Sequence, residues 1–296
     1  MKEIKYYLVK GIFYLLSLLP LCVLYAVSDL FYFLTFHVIR YRRRIVEKNL
    51  LNSFPEKTES ERLRIEKEFY VFFCDYMIET IKLLSFSPND MMRHMEMIGV
   101  DQMEESLTRH DFCFVYLGHF CNWEWISSLP LWCKQGTHCA QIYHPLRSDT
   151  FDSLFLHMRS RFGGENVRKK ETLRRIMALR NEGKKSIVGF ISDQTPRWVS
   201  IHEWVTFLNQ DTPVFIGTER IGKKVNASIF FADIERIKRG YYRCTFRPMT
   251  EEIQTYPDYK LTELYMQELE EMIRRSPAYW LWSHNRWKRQ RSDSTT

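Results

Sequence analysis

The chain has 296 residues, enough for one large domain or two small ones. An apolar content of 45% with a mean hydropathy of −0.35 requires most of it to fold as an ordinary water-facing globule, while 15% aromatic residues suit contact with lipid. A formal charge of +7 suggests anionic partners: a phospholipid surface, a phosphorylated substrate, an acidic carrier protein or nucleic acid, among which charge alone does not choose. The 7 cysteines include no C-x-x-C pair; Cys113, Cys121, Cys133 and Cys139 lie near His119 and His138 but lack the tight ligand pairs of a zinc site, so reduced, buried thiols and no metal are expected.

Residues 1–40 read as an amino-terminal membrane anchor. Gly11 to Val27 is almost entirely apolar, interrupted by Ser17 and Pro20, and a second apolar run follows Asp29 from Leu30 to Ile39. A helical span needs about 20 apolar residues; the first run is marginal, the two joined are too long, and Pro20 should kink them. This leaves one tilted transmembrane helix or a helix lying in the interface, with a buried core helix as the bland alternative. No small-x-small signal ends the run, so a cleaved signal peptide is not expected. Lys2, Lys5 and Lys10 precede the run, and the heavier cluster Arg40, Arg42, Arg43, Arg44 and Lys48 follows it, which places the rest of the chain in the cytoplasm.

Residues 41–290 read as a single α/β domain, and 291–296 as a disordered tail. Residues 45–85 are helical with a break from Asn49 to Pro55, and Phe69, Phe72, Phe73, Tyr76 and Ile81 at near-helical spacing are core. Phe112 to Tyr116 is a buried strand, and Trp125 to Trp132 a helix disturbed at Pro130. Thr137 to Tyr143 is a second strand. A helix capped by Ser148 runs to Phe162 and stops at Gly163-Gly164, and another from Glu171 to Asn181 closes at Gly183. Ser186 to Ile191 is a third, fully buried strand. Thr212-Pro213 should open a helix to Lys223. Ala227 to Ala232 and Tyr241 to Phe246 are strands, and Asp258 to Arg275 a helix. Strands alternating with helices predict a mainly parallel central sheet flanked by helices.

The chemistry centres on Gly118-His119-Phe120-Cys121-Asn122-Trp123-Glu124-Trp125. Five residues on a straight helix turn about 500°, leaving His119 and Glu124 roughly 140° apart. Across a strand-to-helix turn they can meet, so that Glu124 binds one imidazole nitrogen and the other is left to take a proton. Spacing alone favours the plainer reading, a turn histidine and a first-turn helix carboxylate.

The same stretch resembles the H-x4-D/E block of the glycerolipid acyltransferase superfamily, and more closely the late acyltransferases that add secondary acyl chains to lipid A, the lauroyl/myristoyl type. Four other pieces are similar to that branch, in order along nearly the whole chain. They are Arg40-Tyr41-Arg42 through Asn49-Leu50 to Phe54-Pro55; Tyr143-His144-Pro145 with Arg159-Ser160-Arg161-Phe162-Gly163; Ser192-Asp193-Gln194-Thr195-Pro196; and Tyr279 to Lys288 with its W-x-H-x-R-W-K wording. Departures are Cys121 where glycine is common, His144 where arginine is common, and Phe207-Leu208-Asn209 for a usual Phe-Phe-Gly, which put the exact acceptor in doubt. The resemblance implies a membrane-associated O-acyltransferase on the cytoplasmic side of a bacterial inner membrane. It would transfer an acyl chain from an acyl thioester, acyl carrier protein or acyl-CoA, to a hydroxyl of a phosphorylated lipid A precursor, with neither cofactor nor nucleic acid.

An alcohol is a poor nucleophile near neutral pH, so a base must take its proton as it attacks. The roles expected are His119 as that base, Glu124 orienting it, Asn122 or helix-start amides at the oxyanion, Arg159 on an anionic group such as a phosphate, and Asp193 as a further required carboxylate. Cys121 is not needed as a nucleophile, and His284 is expected to be structural. The alternatives are another acceptor, such as an aminolipid or lysophospholipid, or a non-catalytic lipid-binding membrane protein.

Overall fold

The structure is a computed structural model describing residues 2–291, so that all of the expected tail except Arg291 lies outside the described residues. The amino-terminal segment forms two helices, α1 (Lys2–Leu18) and α2 (Leu21–Tyr32), the latter continuing as a π-helical turn over Phe33–Val38. They part at Pro20, which has no N–H to donate and whose ring crowds the preceding turn. Leu21–Val38 is long and apolar enough to cross a membrane by length and composition.

That segment does not stand clear of the domain. α3 (Arg43–Ser53) leads to α4 (Glu59–Ile81), which opens with a Thr58/Glu61 capping box, and α2 packs along α4 with Leu24, Ser28 and Phe36 buried. Polar ties hold the pair. Ser28 Oγ donates to Asp75 Oδ1 (2.8 Å) and Tyr25 to Glu79 Oε1 (2.9 Å). Arg236 and Arg239 reach Asp75 at 2.8 Å and 2.6 Å, and Arg239 also reaches Asp29 at 2.6 Å. Lys82 Nζ donates to Ser17 O (2.6 Å) and Leu19 O (3.1 Å), satisfying carbonyls at the end of α1. The opposite face is apolar and exposed, with Leu8, Leu15, Leu30, Phe33 and Ile39. The expected break at Asn49 falls later, at Phe54, because Asn49 is a buried helix residue whose Nδ2 donates to Trp282 O and His284 O at 2.8 and 3.0 Å.

A seven-stranded sheet forms the centre. Its strands are β1 (Met95–Ile98), β2 (Phe112–Leu117), β3 (His138–Tyr143), β4 (Glu165–Arg168), β5 (Ser186–Ile191), β8 (Ser228–Lys238) and β9 (Tyr241–Thr250), in the order β1-β9-β8-β2-β5-β3-β4. Only the β8–β9 hairpin is antiparallel within it. The mainly parallel sheet is therefore as the alternation implies, with an edge of reversed direction. α5 (Pro88–His94), α6 (Val100–Arg109), α7 (Asp149–Ser160), α8 (Thr172–Asn181), α9 (Gly217–Val225) and α10 (Lys260–Arg275) flank it. β2 is buried at every position, since it is central and covered on both faces; Tyr116 stacks on Tyr265 of α10 with ring centres 4.4 Å apart.

One expected element is corrected. Thr212-Pro213 does not open a helix; it ends β7 (Gln210–Pro213), which pairs with β6 (Trp204–Phe207), and α9 starts only at Gly217. The Thr212 hydroxyl is fixed in that hairpin, accepting from Trp287 Nε1 at 2.7 Å, and is not available as a helix cap.

Asp75 anchors two arginines and a serine while 0% exposed. Asp75→Ala leaves Arg236 and Arg239 without their buried counter-charge, so equilibrium urea unfolding should report a loss of about 3–5 kcal/mol. Limited proteolysis should accelerate around the α1–α2 break.

Candidate functional site

β2 and β5 pair in parallel with Leu117 opposite Ile191. Two residues beyond each strand end stand His119 and Asp193, and the register brings them together. Asp193 Oδ2 accepts from the His119 amide (2.8 Å), Oδ1 lies 2.6 Å from His119 Nδ1, and Oδ2 also accepts from Trp280 Nε1 (2.8 Å). A carboxylate only accepts, so the Nδ1 of neutral His119 carries the proton and its Nε2 is left with a lone pair. Gln194 Nε2 lies 3.3 Å from that nitrogen. Burial by itself would raise the Asp193 carboxyl; attraction to the His119 ring in its protonated form, and hydrogen bonds from His119 and Trp280, outweigh it and hold the group at about 2.

Glu124 has another partner. It sits in a 3-10 helix, Trp123–Leu131, and is 4% exposed. Arg159, near the end of α7, donates to it in a fork: Nε to Oε2 at 2.7 Å and a terminal nitrogen to Oε1 at 2.6 Å. Burial would raise Glu124, but Arg159 more than compensates and lowers it, with the nearby His119 adding to the effect. The Tyr76 hydroxyl lies 3.5 Å from Oε1. Trp123 separates the two pairs as a wall, its ring edge-on to His119 (5.1 Å) and stacked on Tyr76 (4.1 Å).

The structure thus brings together four of the five residues singled out from sequence, in different pairs. The expected His119–Glu124 hydrogen bond is replaced by His119–Asp193 and Glu124–Arg159, because strand register puts Asp193 at Nδ1 while α7 returns Arg159 to Glu124. Arg159, expected on a substrate phosphate, has its fork occupied by Glu124. Asn122, expected at an oxyanion, is fully buried and turned into the fold: Oδ1 accepts from the Trp125 amide (3.3 Å) and Nδ2 donates to Glu79 (2.9 Å). It caps the 3-10 helix and ties the turn to α4.

The closing signature completes the turn. Cys121 N donates to Tyr279 O (2.9 Å) and Leu281 N to His119 O (3.1 Å), with a bridge between Phe120 and Trp280. Cys121 has φ +48°, in the left-handed region where glycine is at ease. Its thiol is buried, and burial pushes its pKa well up, leaving it an inert side chain. His284 is held near 4 mainly by burial and faces Thr195 at 3.4 Å, a structural position. Sequence reasoning missed Gln194 and Trp280 as contacts of the site, although both lie in the quoted blocks, and it missed Tyr76 and Glu79, for which no local signal exists.

Residues 1–289 match the family model described as bacterial lipid A biosynthesis acyltransferase. A lipid A biosynthesis acyltransferase of Haemophilus influenzae is 23% identical over 129 residues, which cover 44% of this chain and 40% of that protein. The matched region thus spans less than half the length of that relative.

Glu124 and Arg159 are bound to one another more tightly than either is to His119. A double-mutant cycle with Glu124→Gln and Arg159→Met, read by urea unfolding, should give a coupling of about 1–3 kcal/mol. The cycle pairing Glu124→Gln with His119→Ala should give clearly less.

Proposed function

We propose an activity from the premise that the chain belongs to the bacterial lipid A biosynthesis acyltransferase family: transfer of a fatty acyl chain from a thioester, on acyl carrier protein or coenzyme A, to a hydroxyl of a lipid A precursor. The observation that carries this reading is the 2.6 Å His119–Asp193 pair at the carboxyl edge of the sheet, with the Nε2 lone pair directed away from the carboxylate. The acceptor hydroxyl displaces the Gln194 amide from Nε2 and attacks the thioester carbonyl as His119 removes its proton. Asp193 stays ionised throughout and stabilises the imidazolium. The tetrahedral oxyanion is met by backbone amides at the start of the 3-10 helix, since Asn122 is turned away. The C–S bond then breaks, and the thiolate takes the proton back from His119. The Glu124–Arg159 pair positions the helix start and shapes the field beside the imidazole. No enzyme-bound acyl intermediate is required.

The same proposal includes how the protein meets its lipid. α1 and α2 lie in the plane of the cytoplasmic leaflet, with their exposed apolar face in the acyl region and the basic residues of 40–48 at the head groups. Spanning is opposed by the inner face of α2: a helix tied to Asp75, Glu79 and Arg239 would drag charged α4 into hydrocarbon, at several kcal/mol per charge.

Two measurements test this. In a purified transfer assay read by mass spectrometry, His119→Ala should lose about 100- to 10,000-fold in rate while still binding vesicles, and Asp193→Asn should be impaired in the same direction. Near-normal turnover by His119→Ala sinks the assignment, and lipids from a deletion strain with lipid A unchanged sink the acceptor. For the membrane arm, Lys5→Cys and Arg44→Cys in a cysteine-depleted background should both be labelled from the cytoplasmic side by an impermeant maleimide. Labelling from opposite sides would mean that α2 crosses.

A further inference from the structure

With Arg159 engaged by Glu124, the anionic groups of either substrate need another cation. β2, β5, β3 and β4 are adjacent and parallel, so their carboxyl ends share one edge. His119 follows β2 and Asp193 follows β5; Arg168 ends β4, and Lys169 comes next. Three strand spacings of about 4.8 Å separate the ends of β2 and β4, about 15 Å in all.

The basic residues at this far end differ from their neighbours. On the same β4–α8 lobe, Arg175 pairs with Glu165 and Glu182, both at 2.7 Å, and Arg174 with Glu171 at 3.5 Å. Among the described residues no carboxylate pairs with Lys169 or with Arg197, which lies four residues past Asp193. Lys169 is exposed as a residue, yet its ammonium sits 3.3 Å from the centre of the Phe215 ring. Burial, and then repulsion by Arg197, lower it to about 8. Arg168 Nε is 3.2 Å from the Tyr143 hydroxyl, bracing the ends of β4 and β3. Arg289 donates to Pro196 O and its guanidinium lies 5.4 Å from the Trp198 ring, bracing the loop that carries Arg197. Lys169 and Arg197 thus follow β4 and β5, strands two spacings apart in the sheet, on braced segments and with no carboxylate partner among the described residues, an arrangement suited to an anion.

We propose that Lys169 and Arg197 form a phosphate-binding subsite at the carboxyl edge of the sheet, taking a phosphate group of one of the two acyl-transfer substrates. Arg197 supplies a planar fork and Lys169 a point charge, the two ways side chains hold phosphate. The source is either the phosphorylated glycolipid acceptor or the phosphate-bearing arm of the thioester donor. This rests on the acyltransferase reading above, and its test is built to fail separately.

The test uses full-length protein in detergent: wild type, Lys169→Gln, Arg197→Gln and the double variant. Inorganic pyrophosphate is titrated while the NMR resonance of isotopically methylated Lys169 is followed, and KM is measured for each substrate. Saturable movement of that resonance in the wild type, weakened about tenfold in Arg197→Gln, is expected. In the double variant KM should rise about tenfold, much more than kcat falls. A rise confined to the phosphorylated acceptor, and abolished when its phosphate is removed, assigns the phosphate to the acceptor; a rise confined to the donor assigns it there. Both support the subsite. Pyrophosphate binding at Lys169 with no transfer to any lipid acceptor overturns the acyltransferase reading and leaves the subsite standing. An unmoved Lys169 resonance together with unchanged KM for both substrates overturns the subsite.

Discussion

The alignment of β2 against β5 is the constraint on which the site depends. Both strands are buried apolar runs, and a slip of one residue would turn each side chain to the opposite face. Because that slip is costly, the residues leaving the two strands are fixed relative to one another, and His119 meets Asp193 twice, through its ring and its backbone amide. The carboxyl-terminal Trp280 then closes the third side by donating to the same carboxylate. A buried carboxylate with donors on both oxygens is held in position, and the imidazole it grips inherits that order.

Asp193 and Glu124 are both buried, and burial alone would raise each carboxyl. Here each has its own cation or donor set: Asp193 has His119 and Trp280, and Glu124 has the Arg159 fork. Both carboxyls are therefore held below the usual carboxylate range in spite of burial. The consequence is a division of labour. A carboxylate saturated by a bidentate arginine offers little basicity, whereas the Nε2 of His119 meets the neutral Gln194 amide at 3.3 Å and no arginine. The arginine also ties α7 to the helix start, so that three segments distant in sequence share one rigid corner.

Much of the fold was legible because long apolar runs and glycine stops have local causes. β2, β3, β5, the two hairpin strands and the helices from Ser148, Glu171 and Asp258 all fall close to where the periodicity puts them. β1 and β4, four residues each, were missed, since so short a run carries no period and β4 (Glu165–Arg168) is mostly polar. Thr212-Pro213 misled because an N-cap threonine followed by proline has the same local form as the end of a short strand; Trp287 and the β6 partner decide it, from 75 residues away in the first case. At the site, the residues were legible but their pairing was not. His119 and Glu124 are neighbours in sequence, while Asp193 lies 74 residues from His119 and Arg159 lies 35 from Glu124. Register and helix return are tertiary facts, and spacing along the chain does not contain them.

The amino-terminal segment shows the same limit at a larger scale. Composition gives an apolar stretch of spanning length, whereas packing gives a helix with one polar, tethered face and one greasy face. An in-plane arrangement has a geometric consequence for the chemistry. Phe13 of α1 meets Phe151 of α7 with ring centres 6.2 Å apart, and Arg159, on that same helix, holds Glu124. Eight residues at 1.5 Å each put about 12 Å between the anchor contact and the arginine. On the proposed in-plane arrangement, a helix that touches α1 at one end and the site at the other would fix the depth of His119 relative to the head groups. Under that proposal an acceptor hydroxyl held just above the acyl region would reach the imidazole without the lipid leaving its leaflet, which a site suspended from a flexible spanning tether would not guarantee.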